Sequence, residues 1–258
     1  MLYCAALARS LTEFMKGNIV MLQNKKFAFF DMDGTLIDSV GIWNEIDCKL
    51  IQQLGGKIMD ETLVQSDRDS QLRQFSSEAN PYLHYCNFLR EKYHAKLSAE
   101  EIIKLRYEIA QDFLQNIIDY KPQAELIICK LKEKNFTLAV TTTTKRTNME
   151  IYRKLNKNIR AKALLDEYFS LIYTREDVSE IKPNPEVYLK AMQTLQAKPQ
   201  ECIVFEDSLI GIEAAKAAGL AVVAVYDKYS AADTEKIKKL ADFFINDYAE
   251  LLPLIDAL

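Results

Sequence analysis

The feature that most restricts the fold is a set of five short apolar runs, each ending in polar residues. Amphipathic helical stretches separate the later runs, for example at 122–134, 146–155, 185–196 and 208–218. Strands that are apolar on both faces and alternate with helices are typical of a parallel sheet covered on both sides. The sequence therefore predicts an α/β fold. The strand-like runs are KFAFFD (26–31), FTLAVTT (136–142), FSLIYT (169–174), CIVFED (202–207) and LAVVAVY (220–226).

Local signals mark where two of the helices begin or end. Asn184 followed by Pro185 predicts an N-cap residue and a first helical residue. Gly219 predicts the left-handed position that ends the helix containing IEAAKAA. In parallel α/β sheets, ligands bind beyond the carboxyl ends of the strands, so polar residues at those ends are candidates for function.

The alternation is interrupted once, between Ser39 and about Lys121, where the sequence predicts only helices. Ser98 and Glu101 form a capping-box signature at the start of one of them. An insertion of this size predicts a second, small domain, in a position to cover the carboxyl end of the first strand. The predicted domains are a helical cap at 40–120 and an α/β core at 22–39 and 121–258.

Residues 1–21 are interpreted as a leader without a fold of its own. They have neither the basic start of a signal peptide nor an apolar run long enough to cross a membrane. We expect the functional start near Met21, and whether the preceding residues belong to the native protein stays open.

Composition excludes several classes of protein. The 258 residues are 49% hydrophobic and 27% charged, as in soluble globular proteins. A net charge of −4 gives no electrostatic reason to bind nucleic acid. The five cysteines are scattered and form no CxxC pair, which indicates reduced thiols. We therefore expect a cytoplasmic protein that binds neither nucleic acid nor membrane, with monomer and dimer both open.

Polar side chains gather where the predicted strands end. They are Asp31 and Asp33, the hydroxyl run TTTTKR (141–146), Lys182, and Glu206 with Asp207. Neighbouring carboxylates repel each other and cost free energy when they are taken out of water unpaired. Acidic oxygen clusters suit Mg²⁺, which keeps waters and substrate oxygens in its remaining positions. The set therefore predicts a Mg²⁺ site in which a hydroxyl and a lysine hold a phosphoryl group.

Each signal alone has an ordinary explanation. An Asp-rich turn is common, and a threonine run reflects strand propensity. A lone Lys182 is more often a solvated surface residue. Glu206 and Asp207 could simply complement the dipole of the following helix. The occurrence of all four in order, at strand ends, favours the functional interpretation.

Four stretches resemble the sequence motifs of the haloacid dehalogenase superfamily. They are DMDGTLIDS (31–39), a hydroxyl after the second run, KPNP (182–185) and FEDSLIGIEAAKAAGL (205–220). The resemblance covers about residues 26–250 and is greatest to the beta-phosphoglucomutase-like phosphatases, which carry a helical cap after the first motif. It implies a doubly wound, Rossmann-like core, an inserted helical cap, and phosphoric monoester hydrolysis through an aspartyl phosphate.

The resemblance also implies a role for each motif residue. By position, Asp31 is the nucleophile, and Asp33 is the general acid and base that also lends its backbone carbonyl to the metal. Thr142 and Lys182 bind the phosphate. The implied Mg²⁺ ligands are Asp31, Asp33, Glu206 and Asp207.

Three functions stay open. The favoured one is a Mg²⁺-dependent phosphatase acting on a small phosphorylated metabolite, such as a sugar phosphate. The second is a sugar phosphomutase, although Trp43 stands where beta-phosphoglucomutases carry a histidine. The third is a catalytically silent binding module, which the intact set of acids and lysine disfavours. Specificity is expected in the cap, where Trp43, Asn44, Arg68 and Arg73 are candidates.

Overall fold

The structure is a computed structural model that describes residues 22–57, 60–75 and 80–258, with the side chain of Arg73 excepted. The described residues form two compact units. The α/β unit contains residues 22–38 and 119–258, and the helical unit contains Ser39–Ile118. The predicted leader, residues 1–21, lies outside the described residues.

The α/β unit is built on a parallel sheet. Its strands within the described residues are β1 (Phe27–Phe30), β2 (Thr137–Thr141), β3 (Phe169–Tyr173), β4 (Cys202–Glu206), β5 (Ala221–Val225) and β6 (Phe243–Ile245). They lie in the order β3-β2-β1-β4-β5-β6, and each adjacent pair is parallel. In the register, Phe30 pairs with Val140 on one side and with Phe205 on the other. The central strands therefore end at the same edge of the sheet.

The helical unit, Ser39–Ile118, has helices and no strand among its described residues. Its helices are α1 (Ile42–Gln53), α2 (Glu61–Gln74), α3 (Pro81–Lys92) and α4 (Ala99–Asp112), followed by a π-helical turn at Phe113–Ile117. The predicted capping box is present at α4, where the Ser98 side chain accepts from Glu101 N and the Glu101 side chain accepts from Ser98 N. The expectation of an α/β sheet with an all-helical insertion after its first strand is confirmed.

Helices also flank the strands of the α/β unit. They are α5 (Ala124–Glu133), α6 (Arg146–Lys154), α7 (Lys157–Lys162), α8 (Leu165–Tyr168), α9 (Glu186–Leu195), α10 (Leu209–Ala217), α11 (Thr234–Leu240) and α12 (Leu252–Asp256). On one face of the sheet, Phe29 belongs to a buried cluster with residues of α9 and α10. On the other face, the side chains of Phe30 and Phe205 stack on each other and are fully buried. Both faces of the central strands are therefore covered.

Of the two predicted helix boundaries, the one at Gly219 is confirmed and the one at Asn184 differs by one residue. Gly219 follows α10 with φ +76°, and Leu220 N donates to Ala215 O, which is the predicted helix-ending geometry. The start of α9 was predicted one residue too early. Pro185 takes the N-cap position, and Asn184 Oδ1 accepts from Glu186 N at 3.0 Å from one residue further out.

The chain leaves and re-enters the α/β unit through paired segments. Ile37 forms an antiparallel bridge with Tyr120, and Asp38 N donates to Asp119 O at 3.1 Å. Lys121 N donates to Leu36 O at 2.8 Å. The two ends of the helical insertion are therefore tied together by backbone hydrogen bonds.

Two further observations concern the chain as a whole. Within the described residues, no helix combines the length and the apolar character that a bilayer span requires. Cys48, Cys86, Cys129 and Cys202 form no disulfide bonds.

Candidate active site

The parallel register gathers the predicted site residues at the carboxyl edge of the sheet. Asp31 directly follows β1, and Asp31 N donates to Phe205 O of β4 at 3.0 Å. Thr142 directly follows β2, where Thr142 N donates to Tyr173 O of β3 at 3.0 Å. Glu206 ends β4 and Asp207 follows it. Buried parallel strands whose ends align in register put these side chains next to one another.

Lys182 joins two of the acids. Its Nζ lies 2.7 Å from Asp31 Oδ1 and 2.5 Å from Glu206 Oε1. The lysine side chain is 2% exposed, and its Nζ also lies 5.3 Å from the centre of the Tyr188 ring. A buried ammonium group is stable only when it is paired, so these carboxylates hold Lys182 in its charged form.

Burial affects the pKa of both Asp31 and Lys182. Burial raises the pKa of Asp31 to about 7, against the opposing effect of the Lys182 charge, and the charges of Glu206 and Asp33 raise it further. Burial by itself lowers the pKa of Lys182, but the Asp31 and Glu206 charges outweigh that effect and hold it well above its usual value. Lys182 therefore stays protonated.

Both carboxylate oxygens of Glu206 accept hydrogen bonds. Its Oε1 accepts from Lys182, and the Tyr188 hydroxyl lies 3.5 Å away. Its Oε2 accepts from Asp207 N at 2.9 Å and from Ser208 N and Ser208 Oγ at 3.0 Å each. Gly211 leaves room for this carboxylate, because a Cβ at that position would overlap it. Glu206 therefore anchors Lys182 to the start of α10.

The carboxylate of Asp207 accepts fewer hydrogen bonds than that of Glu206. Thr35 Oγ1 donates to its Oδ1 at 2.7 Å, and Ser230 Oγ lies 3.5 Å from its Oδ2. Burial raises the pKa of Asp207 well above its usual range, and the charges of Glu206 and Asp31 add to that rise. Thr35 and Ser230 were not among the predicted site residues, although Thr35 lies inside the first motif.

The donor set fits a small divalent cation. Lys182 pairs with Asp31 and Glu206, and the ion pairs of the described residues include none for the neighbouring Asp207. In the described part of the chain, no group of three or more histidine, cysteine, aspartate or glutamate side chains is placed to hold a metal ion. Mg²⁺ needs only one or two carboxylates and completes its octahedron with water and other oxygens. Asp31 and Asp207 meet that requirement, whereas the oxygens of Glu206 are taken.

Asp33 lies beside two hydroxyl groups. Thr144 Oγ1 donates to Asp33 Oδ2, and Tyr152 OH donates to Oδ1 at 3.3 Å. Thr142, the hydroxyl predicted to bind phosphate, has its Oγ1 2.9 Å from Thr144 Oγ1. Tyr152 was missed because a buried tyrosine on a helix is usually a core residue.

The loop after Asp33 is fixed by a second lysine. Lys121 Nζ donates to Gly34 O at 2.7 Å, to Tyr226 O at 3.0 Å and to Asp227 Oδ2 at 2.8 Å. Gly34 has φ +83°, a conformation that favours glycine. Asp227 was also missed, although it closely follows β5. The rule that selected the other acids, a polar residue where a strand ends, could have found it.

The helical unit has a buried charged centre of its own. Asp47 is fully buried and accepts from Arg68 NH1 at 2.8 Å and from Arg106 Nε at 2.6 Å. Arg68 NH2 also donates to Asn44 Oδ1 at 2.9 Å. The Trp43 ring lies 5.5 Å from Arg106 Cζ. Of the residues predicted to set specificity, Arg68 pairs with Asp47 and Asn44 contacts Arg68.

Comparisons with known proteins agree on one family. A family model for haloacid dehalogenase-like hydrolases matches residues 28–225. The phosphorylated carbohydrates phosphatase of Thermotoga maritima is 30% identical over 192 residues, which are 74% of this chain and 80% of that protein. The provisionally named phosphatase YhcW of Bacillus subtilis is 33% identical over 141 residues, and the match spans only 60% of its length.

A solved structure carries the same fold. A Thermotoga maritima protein provisionally named beta-phosphoglucomutase aligns with a TM-score of 0.69 and 24% identity. The alignment covers 90% of this chain and 99% of that chain. With the family model matching most of the sequence, this chain belongs to the haloacid dehalogenase-like hydrolases.

Proposed function

We propose that this hydrolase is a Mg²⁺-dependent phosphatase that acts on a small phosphorylated metabolite through an aspartyl phosphate on Asp31. The observation that carries the proposal is the buried ion pair between Asp31 and Lys182 at the carboxyl edge of the sheet, 2.7 Å from Nζ to Oδ1. A carboxylate nucleophile divides one difficult phosphoryl transfer into two easier steps.

Asp31 is suited to attack phosphorus. Lys182 holds its Oδ1, and no hydrogen-bond donor from the described residues occupies Oδ2. In the first step, Oδ2 forms a bond to phosphorus while the bond from phosphorus to the leaving oxygen breaks. In the second step, water attacks the same phosphorus, and the carboxylate of Asp31 leaves.

Asp33 balances the protons in both steps. Its protonated carboxyl group gives a proton to the leaving alkoxide, and the resulting carboxylate then takes one from the attacking water. Lys182 and the Thr142 hydroxyl bind the phosphoryl oxygens. Positioning and charge neutralisation supply much of the rate in phosphoryl transfer.

Asp31, Asp207 and the backbone carbonyl of Asp33 are the groups we propose to hold Mg²⁺, with Glu206 holding Lys182 instead of the metal. When bound, the ion neutralises negative charge on the phosphoryl oxygens and between the carboxylates. The predicted role of Glu206 is thus reduced from ligand to support, because both of its oxygens already accept hydrogen bonds.

Phosphate release tests the proposal. The purified protein is incubated with Mg²⁺ and a panel of sugar phosphates and other phosphorylated metabolites, chosen because one relative is named for phosphorylated carbohydrates. The matched variants are Asp31→Asn and Asp166→Asn, the second an exposed acid paired with Arg153. Phosphate release by the wild type and by Asp166→Asn, but not by Asp31→Asn, is the expected result. Equal activity in Asp31→Asn would contradict the proposal.

A sugar phosphomutase is the alternative that uses the same aspartyl phosphate. The likeness to a protein provisionally named beta-phosphoglucomutase favours keeping it. Conversion of beta-glucose 1-phosphate to glucose 6-phosphate, measured beside phosphate release, separates the two. Isomer conversion that exceeds phosphate release would favour the mutase.

A further inference from the structure

The Asp33 carboxylate receives a hydroxyl donor on each oxygen. Thr144, in the segment between β2 and α6, donates to Oδ2, and Tyr152, on α6, donates to Oδ1 at 3.3 Å. Each donor restrains one oxygen of the carboxyl group. Two donors on different oxygens, from two different segments, define its rotation.

Burial keeps both donors in place. Thr144 is 8% exposed and Tyr152 is 2% exposed. A phenylalanine would fill nearly the same space, so packing alone does not require the Tyr152 hydroxyl.

The hydrogen-bonded group around Asp33 also includes Thr142. The Oγ1 atoms of Thr142 and Thr144 lie 2.9 Å apart, and each hydroxyl has one proton. Because Thr144 gives its proton to Asp33, Thr142 must be the donor between them. A line of hydrogen bonds therefore joins the Thr142 hydroxyl to the Asp33 carboxylate, and Thr142 must turn away from Thr144 before it can donate to a phosphoryl oxygen.

We propose that Thr144 and Tyr152 are positioning residues that hold the Asp33 carboxyl group in the orientation for proton transfer to the leaving oxygen. The inference rests on the proposed function, because it concerns Asp33 as the general acid. Loss of either hydroxyl removes one of the two hydroxyl contacts that orient the carboxyl group, while Asp31 and Lys182 keep their contacts. The chemical step should then slow in proportion to its need for a proton.

The leaving group provides the test. Single-turnover release is measured with Mg²⁺ for p-nitrophenyl phosphate, whose phenolate leaves without a proton, and for glycerol phosphate, whose alkoxide needs one. In Thr144→Val and in Tyr152→Phe, the rate for glycerol phosphate divided by the rate for p-nitrophenyl phosphate should fall about tenfold. That loss is a fraction of the factor of about 10²–10⁴ that general acid catalysis contributes. Thr144→Ser, which keeps the hydroxyl, should restore the ratio.

Tyr120→Phe is the matched control. Its buried hydroxyl donates to Ala163 O at 2.7 Å, so the variant also loses one buried hydrogen bond in the α/β unit. Its ratio should equal that of the wild type. Because Thr144 and Tyr152 belong to different segments, a failure of one variant to fold leaves the other as the test.

The possible results distinguish failure of the positioning role from failure of the proposed function. Equal loss for both esters, or no change in the ratio, overturns the positioning role while phosphoryl transfer stands. A wild-type protein that releases neither leaving group overturns the proposed function, and the positioning role with it.

Discussion

Lys182 Nζ lies 2.5 Å from Glu206 Oε1, and this contact joins the loop after β3 to the end of β4 inside the protein. Both side chains are at most 2% exposed. The same ammonium group holds Asp31. Glu206 therefore fixes the position of the lysine, and the lysine in turn fixes the nucleophile.

Lys182→Met should destabilise the protein strongly. Removing one partner of a buried ion pair costs about 3–5 kcal/mol, because the remaining charges lose their compensation. The pKa of Asp31 is raised to about 7, above its unfolded value, so its ionisation opposes folding as the pH rises toward 7. Without Lys182 that pKa rises further, and the loss should be greater at pH 8 than at pH 5. Urea unfolding in chelator at both pH values measures it, and an equal loss at the two would contradict the account.

Gly211→Ala should lower both the turnover and the free energy of unfolding. The added Cβ would overlap the Glu206 carboxylate and displace it from Lys182. Gly219→Ala is the matched control, since its Cβ has open space but its φ of +76° is unfavourable for alanine. That control should lose about 1–2 kcal/mol of unfolding free energy and keep its turnover. Unchanged turnover in Gly211→Ala would argue against the role of Glu206.

Asp31→Asn and Asp33→Asn should differ in the first turnover. Asp33→Asn keeps the nucleophile, so p-nitrophenyl phosphate should give a burst of p-nitrophenol followed by slow turnover, because no base activates water for the second step. Asp31→Asn should give neither phase. Stopped-flow absorbance records both, and a burst from Asp31→Asn would mean that the two roles are reversed.

Chelation should abolish turnover, and Mg²⁺ should restore it. Ca²⁺ accepts more ligands at longer distances, so we expect it to bind the same acids and inhibit. Phosphate release with each ion gives the activity, and the midpoint of thermal unfolding reports binding independently, because a bound ion stabilises the folded state. Full turnover in excess chelator would remove the metal from the proposal.

Asp47→Asn should destabilise the helical unit. The substitution leaves Arg68 and Arg106 without their buried counter-charge, at a cost of about 3–5 kcal/mol. Asp112→Asn is the control, because its pair with Lys49 is half exposed and 3.6 Å long. Exposed pairs of that kind contribute about 0–1 kcal/mol. Urea unfolding followed by circular dichroism compares the two variants, and equal effects would show that burial of Asp47 is unimportant.

The sequence predicted the site as far as topology determines it. Parallel strands end at one edge of the sheet, so any residue after β1, β2 or β4 had to arrive there. The side-chain pairing depends on finer features. Within TTTTKR, the loop backbone decides that Thr144 and not Thr142 contacts Asp33, and four identical residues contain no signal for that choice.

Partners that are distant in sequence were also missed. Lys121 and Asp227 pair across the fold, and only the folded chain brings them together. The edge strand β6 is three residues long and was not predicted, because so short a run between polar residues has no clear period. Short helices such as α7 and α11 were missed for the same reason.

The bridge between Ile37 and Tyr120 has an evolutionary consequence. Because backbone bonds in the α/β unit already bring the two ends of the insertion together, the sheet does not depend on what lies between them. Lengthening a closed loop is cheap, at about 0.6 kcal/mol for each doubling. We therefore expect residues 39–118 to tolerate exchange, enlargement or shortening as a module while the strands of the sheet keep their pairing.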